Sequence, residues 1–218
     1  MLKSIEEFFF YLLDFIIPIR TNFAIVSKLN LEKISSLPKA PEVEKRDWIH
    51  PLFHYKDGHV KAIIWELKYR ENTLPLEHIG KLLYEEIIAL VSDIALFNND
   101  AQFILIPIPI TDERRAERGY NQSELIAKAI LESDLAHTLL YAPQWFTKVF
   151  ETPRQSHSES KRERILNLRG SFMADPRVEG KYVILIDDVV TTGSTLSEAR
   201  DTLIASGARE VFAFTIAH

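Results

Sequence analysis

"VILIDDVVTTGSTLSEAR", residues 183–200, sets four apolar residues ahead of two adjacent carboxylates and a hydroxyl-rich turn built around one glycine. Val183 to Ile186 are β-branched or leucine and suit a buried central strand, so Asp187 and Asp188 fall where that strand leaves its sheet. Two neighbouring carboxylates are costly to bury, which makes them face a solvent-filled cleft or a ligand. Thr191, Thr192, Gly193, Ser194 and Thr195 then lead into a helix, "LSEARDTLIAS", that ends before Gly207. A loop entering a helix N-terminus presents backbone N–H groups and a positive dipole end, and hydroxyls add donors. Phosphate suits such a turn, and carboxylates one turn away suit the hydroxyls of a sugar. Together these describe a ribose 5-phosphate pocket. The ordinary alternative is a strand end followed by a Ser194 or Thr195 helix cap, with no ligand. Neither GxxxxGK[ST] nor GxGxxG occurs, so a P-loop and a dinucleotide fingerprint are excluded.

The composition, 46% apolar and 26% charged over 218 residues, is that of a globular chain long enough to build a sizeable core. Without cysteine there is no disulfide framework and no Cys-ligated zinc or iron–sulfur site, which fits a reducing cytoplasm. The seven histidines are scattered and none has HExxH spacing. "IEEFFFYLLDFIIPI" at the N-terminus is interrupted by Glu6, Glu7 and Asp14. It is too short an apolar run to span a membrane and reads as an amphipathic docking helix ending near Pro18. A net charge of −5 argues against the whole molecule being a nucleic-acid sleeve, while leaving a local basic patch open.

Residues 31–51 read as an extended connector, and "HVKAIIWELKYREN" and "LEHIGKLLYEEIIALVSDIALF" carry helical periodicity. From residue 102 short apolar runs alternate with helices: "FILIPIPI", "NQSELIAKAILES", "QWFTKVFE", "YVILID", "TLSEARDTLIASG" and "EVFAFTIA". Strands apolar on both faces and separated by helices imply an α/β fold, a parallel sheet flanked by helices. Ligands of such sheets bind beyond the carboxyl ends of the strands.

Two further loops follow strands. In "PITDERRAERGYNQSELIAKAI", Arg114, Arg115 and Arg118 can clamp an anion, and Asn121 or Ser123 can cap the next helix. Asp112, Glu113 and Glu117 offset those arginines, so a solvated charged turn is the plain alternative. "ETPRQSHSESKRERILNLRGSF" is basic and lacks apolar residues from Pro153 to Arg164. It is expected to be a mobile lid, with an inert exposed hairpin as the alternative.

The strand, acidic pair and "TTGST" turn resemble the signature of type I phosphoribosyltransferases. That resemblance implies a 5′-phosphate site at Thr191 to Thr195 for phosphoribosyl pyrophosphate (PRPP), with ribose contacts and a catalytic role for Asp187 and Asp188. "RGYNQSELIA", "TPRQ" and "RILN…GSF" resemble the competence-associated ComF family, also called GntX, within that group. The resemblance runs from "FYLLDFIIP" to "ASGAREVFAFTIAH" and is most specific at 118–127 and 183–195. Many members carry paired cysteines of a small zinc ribbon after the first proline. This chain has none, so zinc is not expected, and residues 1–50 read as a remnant of that position. Residues 51–218 then form the phosphoribosyltransferase-like domain, with 51–100 as a helical cover and 101–218 as the α/β core.

The resemblance implies substitution at C1 of the ribose, with pyrophosphate leaving and an acceptor nitrogen attacking. Mg²⁺ would arrive with the substrate. Arg114, Arg115 and Arg118 are the pyrophosphate candidates, and the loop containing Thr152, Gln155 and Arg164 would close over the substrate. The chain stops at His218 after its last predicted strand, so an acceptor hood must come from residues 1 to about 100. Lys68, Tyr69 and Arg70 are candidates there, although "ELKYRE" also reads as a solvated helical face. A second hypothesis is a non-catalytic competence factor handling single-stranded DNA or competence proteins. Trp145, Phe146 and Phe150 lie near the basic stretch, but their spacing suits strand packing better. The acceptor and the oligomeric state are not legible in the sequence.

Overall fold

The computed structural model describes residues 21–149 and 170–218. Five strands, β1 (Ile49–Phe53), β2 (Phe103–Pro107), β3 (Leu139–Tyr141), β6 (Tyr182–Val189) and β7 (Glu210–Ala217), form one sheet in the order β1-β7-β6-β2-β3. Every pairing in it is parallel. β6 and β2 lie inside the sheet, and this is why "FILIP" is buried at every position and "YVILI" likewise.

Alternation along the strands divides the core into two layers. Phe103, Leu105, Tyr182, Ile184, Ile186, Phe214 and Ile216 pack on one side with helices α2 (Gly58–Arg70), α3 (Leu76–Phe97) and α5 (Gln122–Leu131). Ile104, Ile106, Val183, Leu185, Val211 and Ala213 pack on the other with α6 (Ser194–Ala205). Gly80 on α3 permits the close approach of α5, because a Cβ there would stand 2.6 Å from the Ala129 carbonyl. Two short helices complete the described α-helices that carry their own bounds: α1 (Leu31–Ser35) and α4 (Asp112–Arg118).

The helices between residues 51 and 100, read as a cover within the domain, share one apolar core with the central strands. Two features differ from the sequence reading. The connector expected over 31–51 ends in β1, an edge strand paired with β7. "QWFTKVFE" does not join the main sheet. Its β4 (Phe146–Lys148) pairs antiparallel with β5 (Phe172–Ala174) in a separate two-stranded sheet, where Phe146 stacks on Phe172 at 4.9 Å. The amphipathic helix read at residues 1–17 lies outside the described residues.

Candidate functional site

β6 carries Asp187 and Asp188 at its carboxyl end, next to the end of β2, where the loop after Pro107 begins. Beyond them the chain turns through Thr191 and Thr192 to Gly193, which adopts φ +67° and starts α6. Two requirements fall on that glycine. Its backbone is left-handed, and a Cβ would come within 3.0 Å of the Arg46 guanidinium.

The N-cap residue of α6, Gly193, has no side chain to offer, and of the first-turn amides that of Ser194 donates to Thr192 Oγ1 at 3.4 Å. The alternative of a cap from Ser194 or Thr195 is therefore absent, and the Ser194 hydroxyl instead shares a hydrogen bond with Thr192 Oγ1 at 2.9 Å. The first-turn amides of a helix have no intrahelical partner, so this turn retains donors for an anion. Asp187, Val189, Val190 and residues 191–196 line a small recess of about 40 Å³ there. Thr191, Thr192, Gly193, Ser194 and Thr195 are thus brought together with Asp187 as the sequence anticipated.

The two acids have different partners. Asp188 is buried and forms an ion pair with Lys68, Nζ to Oδ2 3.0 Å. Asp187 Oδ1 accepts from the Ser123 hydroxyl at 3.0 Å and from the Asp188 amide at 2.9 Å. Loss of water around its carboxyl, reinforced by the charge of Asp188 beside it, pushes the Asp187 pKa up to about 7; the two hydrogen bonds and Lys68 oppose that rise. One member of the pair thus titrates near neutrality while its neighbour is held against an ammonium group.

The segment "GYNQS", residues 119–123, supplies the scaffold for this pair. Gly119 ends α4 in the left-handed conformation. The Tyr120 hydroxyl accepts from the Glu71 amide at 2.8 Å and donates to the Leu67 carbonyl at 2.9 Å, tying down the end of α2 beside Lys68. Asn121 caps α5 by accepting from the Ser123 amide at 3.0 Å, and its amide nitrogen donates to the Ile108 carbonyl at 3.0 Å. Ser123, buried in the first turn of α5, is therefore aimed at Asp187. Of the two caps the sequence allowed, Asn121 is the one used. Lys68, named as an acceptor candidate, stands against Asp188, whereas Tyr69 is 61% exposed.

The arginine cluster is arranged differently. Arg115 is paired with Glu124, and Arg118 donates to Gln122 Oε1 at 3.2 Å. Arg114 is half-buried, its amide bonded to the Thr111 hydroxyl at 3.4 Å at the start of α4. The sequence did not single out Ser123 as a site residue, nor Tyr120 or Arg46, because their roles arise from tertiary contacts. Thr152, Gln155 and Arg164 lie outside the described residues.

Among the described residues, no group of three or more His, Cys, Asp or Glu side chains is placed to hold a metal ion. The donors available at the site are carboxylates, hard oxygen ligands that suit Mg²⁺ when most of its shell comes from a pyrophosphate and water. Within the same residues, no helix is long and apolar enough to cross a membrane.

Residues 142–218 match the phosphoribosyl transferase domain, a segment that contains β6, the acidic pair, the turn and α6. DNA utilization protein YhgH of Salmonella typhimurium is 31% identical over 154 residues, 70% of this chain and 64% of that protein. Competence protein ComFC of Bacillus subtilis is 36% identical over 118 residues, 54% of this chain and 45% of that protein. Among solved structures, glutamine PRPP amidotransferase from B. subtilis, complexed with ADP and GMP, matches at TM-score 0.42 and 19% identity, covering 70% of this chain and 30% of that one. The chain spans 64% of the length of the Salmonella relative. A parallel sheet flanked by helices, a phosphoribosyl transferase domain at its signature turn, and relatives of both the YhgH and the competence type converge: the chain has a type I phosphoribosyltransferase-like fold and is similar to the YhgH and ComF proteins.

Proposed function

We propose that this protein binds PRPP at the end of β6 and transfers its phosphoribosyl group to an acceptor nitrogen, releasing pyrophosphate. One observation carries the reading. Asp187 lines the same recess as the uncapped turn 191–195, so sugar hydroxyls and a phosphomonoester would meet complementary groups within one small volume.

In this reading the phosphate takes the first-turn amides of α6 and the Thr and Ser hydroxyls of the turn. Ribose hydroxyls donate to Asp187 and Asp188. As the bond from C1 to the pyrophosphate oxygen breaks, positive charge grows on the ribose, and the adjacent carboxylates favour it electrostatically. Lys68 holds Asp188 in place, and Ser123 orients Asp187. Arg114 and Arg118 are the candidates to meet the pyrophosphate. Mg²⁺ bound with the substrate would neutralise charge on that leaving group. The test is pyrophosphate release from PRPP with Mg²⁺ across a panel of bases, comparing wild type with Asp188→Asn. Release by wild type that Asp188→Asn abolishes supports transfer, and no release with any base argues against it.

A second reading is a binding module without turnover, serving DNA utilization. It is favoured by the names of the relatives, DNA utilization protein and competence protein. The aromatic side chains lend it little. Phe146 is buried against Phe172, and the Arg177 guanidinium covers the Trp145 ring at 4.8 Å, so neither offers a free stacking platform. Phe150 lies outside the described residues. Salt-sensitive single-stranded DNA binding that survives Asp188→Asn would favour this reading over transfer.

A further inference from the structure

The phosphate turn lacks a cation of its own. Residues 191–195 read Thr-Thr-Gly-Ser-Thr, and Asp187 beside them is acidic. A phosphomonoester near neutral pH carries between one and two negative charges, more than amides and hydroxyls neutralise. The missing charge stands next to the turn, supplied by a segment remote in sequence. Arg46 lies in the strip leading into β1, and its guanidinium Nη1, Cζ and Nε stand 3.0, 3.2 and 3.4 Å from where a Cβ on Gly193 would be.

The strip holds that side chain in place. Val43 is buried in the second core layer, Arg46 Nε donates to the Ser197 hydroxyl at 3.1 Å on the first turns of α6, and Arg200 of the same helix covers the Trp48 ring at 5.1 Å. Contacts at 43, 46 and 48 thus lay the strip along α6. Arg46 is half-buried, makes no ion pair among the described residues, and uses only Nε on Ser197. Its two terminal nitrogens therefore retain donors. On its other side it borders a cleft of about 920 Å³ lined by residues 39–47, 49–52 and Glu86.

The geometry points to Arg46 as a further ligand of the 5′-phosphate, a cation contributed from outside the matched domain to close the turn at 191–195. This rests on the reading of that turn as a phosphate site. It also gives the segment before β1 a role that needs no zinc: the strip delivers one guanidinium to the glycine of the turn. Gly193 is then required twice, for its backbone and for the space the guanidinium fills.

The experiment is isothermal calorimetry of ribose 5-phosphate and of unphosphorylated ribose with wild type, Arg46→Ala, Arg46→Lys and Ser197→Ala, each checked for unchanged melting temperature. A hydrogen bond to a charged group contributes enough to expect about a tenfold or greater loss of ribose 5-phosphate affinity in Arg46→Ala. Arg46→Lys is expected to lose less, because it keeps the charge without the fork. Ser197→Ala removes the tether but not the charge and is expected to stay within about twofold. The dependence of ribose 5-phosphate affinity on salt is expected to be shallower in Arg46→Ala than in wild type. Wild-type binding that Arg46→Ala leaves unchanged overturns the assignment alone, as does an equal loss in Ser197→Ala, which would reduce Arg46 to a clip. Wild type that binds ribose no more weakly than ribose 5-phosphate, or binds neither, overturns the phosphate site and this assignment with it.

Discussion

The loops that follow β6 and β2 begin at neighbouring strand ends of one sheet, yet they are built on different terms. After β6 the main chain makes the site: a strand end fixes Asp187 and Asp188, a left-handed glycine turns the chain, and an uncapped helix presents its amides. After β2 the side chains come first, and the arginines take protein partners: Arg115 is engaged by Glu124 and Arg118 by Gln122. What the second loop gives to the first is a hydroxyl, that of Ser123 on Asp187. A turn built from the backbone is thus preset by fold, whereas a cluster of like charges in sequence is divided among neighbours once the chain folds.

This contrast can be broken in order of size. Asp188→Asn removes the carboxylate that pairs with Lys68 and that the proposed function assigns to the ribose, and pyrophosphate release is expected to fall about 100-fold or more, ~2.7 kcal/mol of transition-state stabilisation. A quench assay for released pyrophosphate measures it. Lys68→Met leaves two adjacent carboxylates without their ammonium partner. With Asp188 buried and Lys68 partly solvated, the expected cost is about 1–3 kcal/mol, read by urea denaturation at pH 7.5.

A third prediction concerns Asp187 alone. In the unfolded chain its carboxyl ionises near the ordinary 3.8, and in the folded protein near 7. Between those values the native state binds more protons than the unfolded state, so this group lowers stability progressively as pH rises from about 4 to 7. Asp187→Asn escapes that fall. Its melting temperature is expected to match wild type near pH 4 and to exceed it by several degrees at pH 8, at ~2–4 °C per kcal/mol for a chain of this size. A difference that is constant with pH would contradict the assigned titration. The smallest effect is expected from Arg115→Gln. Its guanidinium pairs with Glu124 in an exposed setting, so affinity for PRPP by calorimetry is expected to change less than about twofold.

The parts of this arrangement legible in the sequence share a physical reason. β2, β6 and β7 are buried on both faces and read as continuous apolar runs, and α5 and α6 follow with clear caps or turns. β1 was missed because "IHPLF" carries Pro51, which an edge strand tolerates and which sequence reading treats as a break. β3 has three residues, too few to show a period. The acids and the phosphate turn were readable because one strand and one helix fix them within ten residues. Arg46 was not, and Lys68 was named only for the acceptor and not for its pairing with Asp188, since Asp188 and Gly193 lie more than a hundred positions away from these cations and only the tertiary fold joins them. The pattern "GYNQS" could be recognised as specific, but its work of tying α2, β2 and β6 together appears only in the contacts of Tyr120, Asn121 and Ser123.

The central claim, that the turn at 191–195 holds a phosphomonoester while the acids hold its pentose, is tested most directly by calorimetric titration of the full chain with ribose 5-phosphate. The account predicts saturable binding of one ligand per chain that Asp188→Asn weakens and inorganic phosphate competes away. Absence of heat at millimolar ligand, or binding indifferent to both changes, would contradict it.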